Sequence, residues 1–201
     1  MKDDWDKLNI KGQQRAVKIG KEAARLFSRK GFLETTMDEI AIAAKISKGG
    51  MYYYLKSKTE ILYFVLSNYM DLVIGDLEKD LSRIKEGDAK LKFIIHRHIQ
   101  LYSNQTFEAR VLLHEAHCLP EKYFKVIAGK QKKYFQIVND VISDFFRKSI
   151  SKGELTAITF TLFGMCNWIY SWYDPKGSVT PERLSNIVST ILLHGADGVK
   201  E

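Results

Sequence analysis

Two groups of residues in this chain have the types and spacing that could do chemistry. His114, His117 and Cys118 fall at i, i+3 and i+4, with Glu115 adjacent. On a continuous helix that spacing puts three soft or borderline ligands on one face, where they could hold zinc or answer to oxidation. A packed face with hydrogen-bonded imidazoles is the simpler reading, and the two-residue gap between the histidines is not that of a zinc protease. The second group, Lys48, Gly49, Gly50, Tyr53 and Tyr54, joins a cation, two residues without side chains and two phenols. Charge for phosphate, backbone that can approach closely and rings for base edges are the chemistry of a helix end presented to DNA. Catalytic chemistry has little to stand on. There is no glycine-rich phosphate loop, no nucleophile elbow and no convincing carboxylate pair, so the chain does not read as an enzyme and no cofactor is expected.

The elements that must position the second group can be read residue by residue. Thr36 and Glu39 have the spacing of a capping box, which starts a helix at Met37 with Ile40, Ala41 and Ala44 on its apolar face. Lys45 to Ser47 leave room only for a turn, and Ser47 caps a second helix from Lys48. Met51, Tyr52 and Leu55 are expected to face the first helix, leaving Lys48, Gly49, Tyr53 and Tyr54 outward. Each glycine costs up to about 1 kcal/mol relative to alanine in a helix, which close approach to DNA would justify. Lys56 and Lys58 follow as backbone anchors.

Charge agrees with this reading. The net charge of the 201-residue chain is +7, and residues 1–60 hold thirteen basic against eight acidic side chains, whereas residues 61–201 hold eighteen against sixteen. Between Lys11 and Lys30 only Glu22 opposes seven basic residues, a pattern suited to attracting phosphate and equally available to a solvated helix face. Cys118 and Cys166 are too few for a disulfide framework, so a reducing cytoplasm is expected. The apolar stretch around 162–173 is interrupted by Gly164, Asn167 and Ser171 and falls short of the ~20 residues a membrane span needs; no signal peptide is read.

The remaining pattern is helix after helix, giving an all-α chain of about nine: 12–30, 37–44, 48–54, 58–84, 88–104, 107–118, 121–149, 154–173 and 181–194. Thr180 before Pro181 is a strong helix start. Residues 155–173 carry too much apolar surface for one stripe, and Leu184, Ile187, Val188, Ile191 and Leu192 recur at helical spacing. Two such helices from each of two copies would form a two-fold interface, and paired DNA-reading heads also require a homodimer. A pocket in the body would be walled by helices 5 to 8, with Tyr102, Phe163 and Trp168 among its apolar candidates and Arg97, Arg110, His114 and Asn167 among its polar ones.

The segments Gly31–Ala41, Ile46–Leu55 and Lys56–Leu62 resemble the DNA-binding region of the TetR family, whose pattern runs G-x-x-x-T-T-x-x-x-I-A, V-S-K-G-x-x-Y-x-Y-F and K-S-K-x-x-L. The resemblance implies a helix-turn-helix head over 1–57 and a ligand-binding and dimerisation body over 58–201. It implies that Lys48, Gly49 and Tyr53 meet base edges and that Thr36, Tyr54 and Lys58 meet phosphate. Two residues depart from the pattern. Lys45 stands where the family has a turn glycine, at a cost of about 1 kcal/mol if held at positive φ, and could add a cation near the DNA; Leu55 replaces a phenylalanine. The run Asn167-Trp168 through Pro181-Glu182 resembles the branch with N-W-x-x-x-W-Y-x-P-x-G-x-x-x-P-E, whose members include repressors of fatty-acid and sterol-ring degradation released by acyl-CoA thioesters. The expected function is therefore that of a cytoplasmic repressor, released from a palindromic double-stranded operator by a hydrophobic effector such as an acyl-CoA. A metal- or redox-responsive regulator using His114, His117 and Cys118 is the alternative.

Overall fold

The computed structural model describes residues 5, 8–146 and 149–195. Its elements, in order, are α1 (Ile10–Lys30), α2 (Met37–Ala44), α3 (Lys48–Tyr54), α4 (Lys58–Ile74), α5 (Leu77–Ser82), α6 (Gly87–Asn104), α7 (Thr106–Glu115), α8 (Glu121–Phe145), α9 (Lys152–Asn167) and α10 (Pro181–His194). Short 3-10 turns occupy Ala116–Cys118 and Trp168–Ser171. Among the described residues there is no strand, and no helix is long and apolar enough to cross a membrane.

The chain divides into two compact units: Met1–Asp71 with Phe107–Gly129, and Leu72–Thr106 with Lys130–Glu201. This is a division by packing, distinct from the functional boundary expected at 57/58, because the start of α4 and residues 107–129 pack with the first three helices.

In the first unit α1 begins where Asn9 Oδ1 accepts from Gly12 N at 2.9 Å. Its buried face, Gly12, Ala16, Ile19, Gly20, Ala23, Ala24 and Phe27, repeats every three or four residues, the period of one helical stripe. Small side chains there let neighbours approach the backbone. A Cβ on Gly20 would stand 2.9 Å from a ring carbon of Phe64, so that ring packs where only glycine fits. Helices α1, α2 and α3 pack pairwise around Phe27, Ile40, Ala44, Met51 and Leu55, all buried. Phe64 also receives the Trp5 ring, edge-on at 5.2 Å.

In the second unit α10 lies along α6, and α9 with the 168–171 turn also packs on α6. Thr180 caps α10 through a bond from Arg183 N, with Pro181 in the first turn. Ser151 and Glu154 form a capping box that starts α9 at Lys152, two residues ahead of the expected start.

Four expected helices are shorter or divided. The helix expected over 58–84 breaks at Gly75, which has φ 30°, a conformation that ends helical hydrogen bonding and that glycine adopts most readily. That expected over 107–118 ends at Glu115 and tightens into a 3-10 turn, as helix ends often do. The stretch expected as one helix over 154–173 does the same after Asn167. Helix α8 ends at Phe145; residues 147 and 148 of the expected 121–149 helix lie outside the described residues.

Candidate nucleic-acid interface and effector site

The α2–turn–α3 geometry follows from three local devices. Thr36 Oγ1 accepts from Glu39 N while Glu39 Oε2 accepts from Thr36 N and Thr36 Oγ1, at 2.8 to 3.2 Å, so the capping box is complete. Lys30 and Glu39 form an ion pair. A hydrogen bond from Lys30, with further bonds from Thr36, holds the Glu39 carboxyl down at about 2. Lys45 ends α2 in the left-handed region at φ 56°, ψ 47°, the one positive-φ residue other than glycine among the described residues. Its N–H bonds Ile42 O, and its side chain is exposed. Ser47 Oγ then accepts from Gly50 N at 3.1 Å.

The two glycines of α3 have different physical reasons. Around Gly49 a Cβ would meet nothing within 4 Å, whereas on Gly50 it would crowd Ser47 Oγ at 3.0 Å and Ile46 Cγ2 at 3.3 Å. Gly50 is thus required by the cap, and Gly49 leaves a bare, open stretch of helix surface. Lys48 stands beside it, its Nζ 2.7 Å from Asp38 Oδ1 with both side chains exposed, and this bond raises its pKa. Tyr53 is 73% exposed and packs edge-on against half-buried Tyr54, with ring centroids 5.1 Å apart.

Two expectations need amending here. Tyr52 was expected to face α2, yet it is 41% exposed; a helix of seven residues buries Met51 and, one turn on, Leu55, and Tyr52 lies a third of a turn away from that line. Lys58 donates to Leu33 O at 2.9 Å and Thr35 O at 2.8 Å, with its Nζ 4.6 Å from the Phe32 ring centre. The ammonium therefore braces the α1–α2 turn, and one of its three protons remains for an outside acceptor. Exposed Leu33 and Ile42 were not singled out from sequence; an apolar side chain that evades the core leaves no periodic signal.

The ligand candidates separate between the two units. In the second, burial gathers α6, α8 and α9 around His98. Its Nε2 lies 3.0 Å from Asn167 Oδ1, which also accepts from the Tyr102 hydroxyl at 2.8 Å. Because that oxygen only accepts, Nε2 carries the hydrogen, and Nδ1 accepts from the Tyr134 hydroxyl at 2.8 Å. The Tyr102 ring stacks on the imidazole at 4.7 Å and Phe163 stands 6.1 Å away. Burial lowers the His98 pKa to about 4 and raises those of Tyr102 and Tyr134, so the cluster is neutral and fully connected. Arg97, on the same helix, donates to Leu72 O at 3.1 Å; its Nε is buried with no hydrogen-bond partner among the described residues. Trp168 is 63% exposed and takes no part in the cluster. Sequence reading missed His98 because a histidine on an apolar helix face signals burial without saying what it faces.

Arg110 and His114 belong to the first unit, where they line a cavity of about 250 Å3 with Phe27, Arg29, Val111 and Glu115. The metal alternative fails on geometry. His114 ends in α7 while His117 and Cys118 sit in the following 3-10 turn, so the expected shared helical face does not form. Glu115 Oε2 instead accepts from Phe32 N at 3.2 Å, and no group of three candidate metal ligands occurs among the described residues.

Comparison with known proteins agrees with both halves of the chain. Residues 19–63 match bacterial regulatory proteins of the tetR family, and residues 85–196 match the tetracyclin repressor-like C-terminal domain. The transcriptional repressor KstR2 of Mycolicibacterium smegmatis is 26% identical over 183 residues, 86% of each chain. A TetR-family regulator from Bordetella parapertussis superposes with a TM-score of 0.86 at 28% identity, over 90% of this chain and 94% of that one. AibR, in complex with isovaleryl coenzyme A and operator DNA, superposes at 0.77 with 26% identity, over 88% of this chain and 97% of its own. A capped helix-turn-helix followed by an all-helical body that matches the family's C-terminal domain leaves one assignment: the chain belongs to the TetR family and is a DNA-binding transcriptional regulator.

Proposed function

We propose that this protein is a homodimeric cytoplasmic repressor, released from a near-palindromic operator by an acyl-CoA thioester. The observation that carries the reading is its likeness, over nearly the whole of both chains, to AibR, which has been seen with an acyl-CoA and operator DNA. Residues 1–57 are the DNA-binding domain and 58–201 the effector and dimerisation domain. Lys48, Gly49 and Tyr53 meet base edges; Thr36, Lys45, Tyr54 and the free proton of Lys58 meet phosphate, with Gly50 keeping the Ser47 cap that starts α3. Arg97, Tyr102, Phe163, Asn167 and Trp168 are the effector-binding residues of the second unit; Arg110 and His114, expected beside them, belong to the first.

The exposed aromatic side chains of the second unit support a dimer. Phe160, Trp168 and Trp172 are 61%, 63% and 59% exposed, apolar surface that a second copy would cover. Effector binding that favours one separation of the paired heads needs a coupling of about 1–3 kcal/mol to weaken operator binding roughly 5- to 150-fold.

The test is a series of acyl-CoA thioesters of graded chain length, with gel shift on the operator and thermal unfolding read together. The expected result is release of DNA and a higher melting temperature for some chain lengths, with the thioester recovered intact. No effect at any length would remove this ligand class, and hydrolysis of the thioester would contradict the binding-protein reading.

A further inference from the structure

The cavity between the last turn of α1 and helix α7 is more than a gap in packing. At about 250 Å3 it far exceeds the ~10–15 Å3 that one water needs. Buried Phe27 and Val111 contribute apolar wall, and Arg29, Arg110, His114 and Glu115 contribute ionisable groups. Two guanidinium groups, one imidazole and one carboxylate thus line the same cavity. That carboxylate is already engaged, since Glu115 Oε2 accepts from Phe32 N at 3.2 Å and lies 3.8 Å from Cys118 Sγ. Among the lining residues the guanidinium groups outnumber the carboxylate.

We propose that this cavity is a phosphate-binding subsite. A carboxylate would occupy one guanidinium fork; a phosphate group, with three charged oxygens, can bridge the forks of Arg29 and Arg110 and still accept from His114. Each guanidinium has five N–H groups, so the subsite needs only part of each and tolerates the other contacts these side chains make.

Phosphate here stands beside Glu115, whose Oε2 accepts from Phe32 N, and its charge repels that carboxylate. That bond secures the turn leaving α1, where Gly31 has φ 89° and a Cβ would lie 3.7 Å from Glu115 Oε1. An anion in the cavity therefore acts on the segment that sets the entry of α2.

The test uses the full chain and two probes, inorganic phosphate and adenosine 3′,5′-bisphosphate, titrated at constant ionic strength into the wild type, Arg29→Gln and Arg29→Gln/Arg110→Gln. Because a charged hydrogen bond contributes about 1.5–3 kcal/mol, Arg29→Gln should weaken binding about 10- to 100-fold, and exposed Arg29 should leave the melting temperature unchanged. Saturable, Arg29-dependent binding of inorganic phosphate points to free phosphate as the source; such binding by the nucleotide alone points to a phosphorylated organic effector. Absence of saturable binding by both probes, or equal affinities in wild type and Arg29→Gln, would overturn the subsite. The subsite and the acyl-CoA reading fail separately: loss of Arg29-dependent binding by both probes removes the subsite while release of DNA by thioesters still stands, and thioesters without effect on DNA remove that reading while Arg29-dependent phosphate binding still stands.

Discussion

The α2–α3 head and the His98 cluster are both polar, and they are built on opposite physical terms. In the head the polar groups include charges, lie at the surface and mostly pair with near neighbours in sequence: Thr36 with Glu39, Ser47 with Gly50, Lys48 with Asp38. Around His98 they are neutral, buried and drawn from three helices, with partners 36, 65 and 69 residues apart. Exposed charges contribute little to stability and remain available to a partner. Buried neutral groups must satisfy one another completely, since an orphaned one costs more than the bond it replaces contributes. The head is therefore a surface that can be altered with small cost to folding, and the cluster is a core whose alteration is felt throughout its unit.

The largest test of that contrast is His98→Ala, which orphans the Tyr134 hydroxyl and opens a cavity. It should cost about 3–5 kcal/mol of unfolding free energy in urea titration, and a loss below about 1 kcal/mol would show that the cluster does not hold the core. Next is pH. The folded pKa of His98 lies near 4, below its ordinary 6.5, so between these values the unfolded chain binds the extra proton. Stability should be complete above about pH 6.5 and fall by up to about 3 kcal/mol as acid is added toward pH 4. His98→Leu should remove that slope; an identical slope in this variant would assign it to other groups.

On the head, Tyr53→Ala should reduce discrimination between operator and random DNA by about 1–3 kcal/mol, with the melting temperature unchanged. An unaltered specificity ratio would refute the base-edge role. Lys45→Gly is the smallest change: relief of the left-handed conformation should stabilise the fold by up to about 1 kcal/mol. If its ammonium meets phosphate, the salt slope of DNA binding should fall by about one, and a slope that stays the same would limit Lys45 to its turn.

How far the chain could be read from its residues follows the same division. The caps at Thr36, Ser47 and Thr180, and the turn at Lys45, depend on contacts within four residues, and each appears in the structure as the spacing implies. Tyr52 was misplaced because its exposure depends on how α3 is rotated against its neighbours. Lys58 has two partners lying 23 and 25 residues earlier in the chain, so its bracing role was invisible in the motif that contains it. His114, His117 and Cys118 share a face only if α7 continues, and it tightens at Glu115.

Sequence alone determined the helical class, the capped helix-turn-helix with its cationic surplus and the family to which both belong, because local hydrogen bonds and apolar periodicity are properties of short stretches of chain. Tertiary structure alone decided that His98, Tyr134, Asn167 and Tyr102 are one network, that Arg110 and His114 lie apart from it, and that Glu115 holds the α1–α2 turn. Those pairings join distant residues, and burial that excludes water is what makes their satisfaction obligatory.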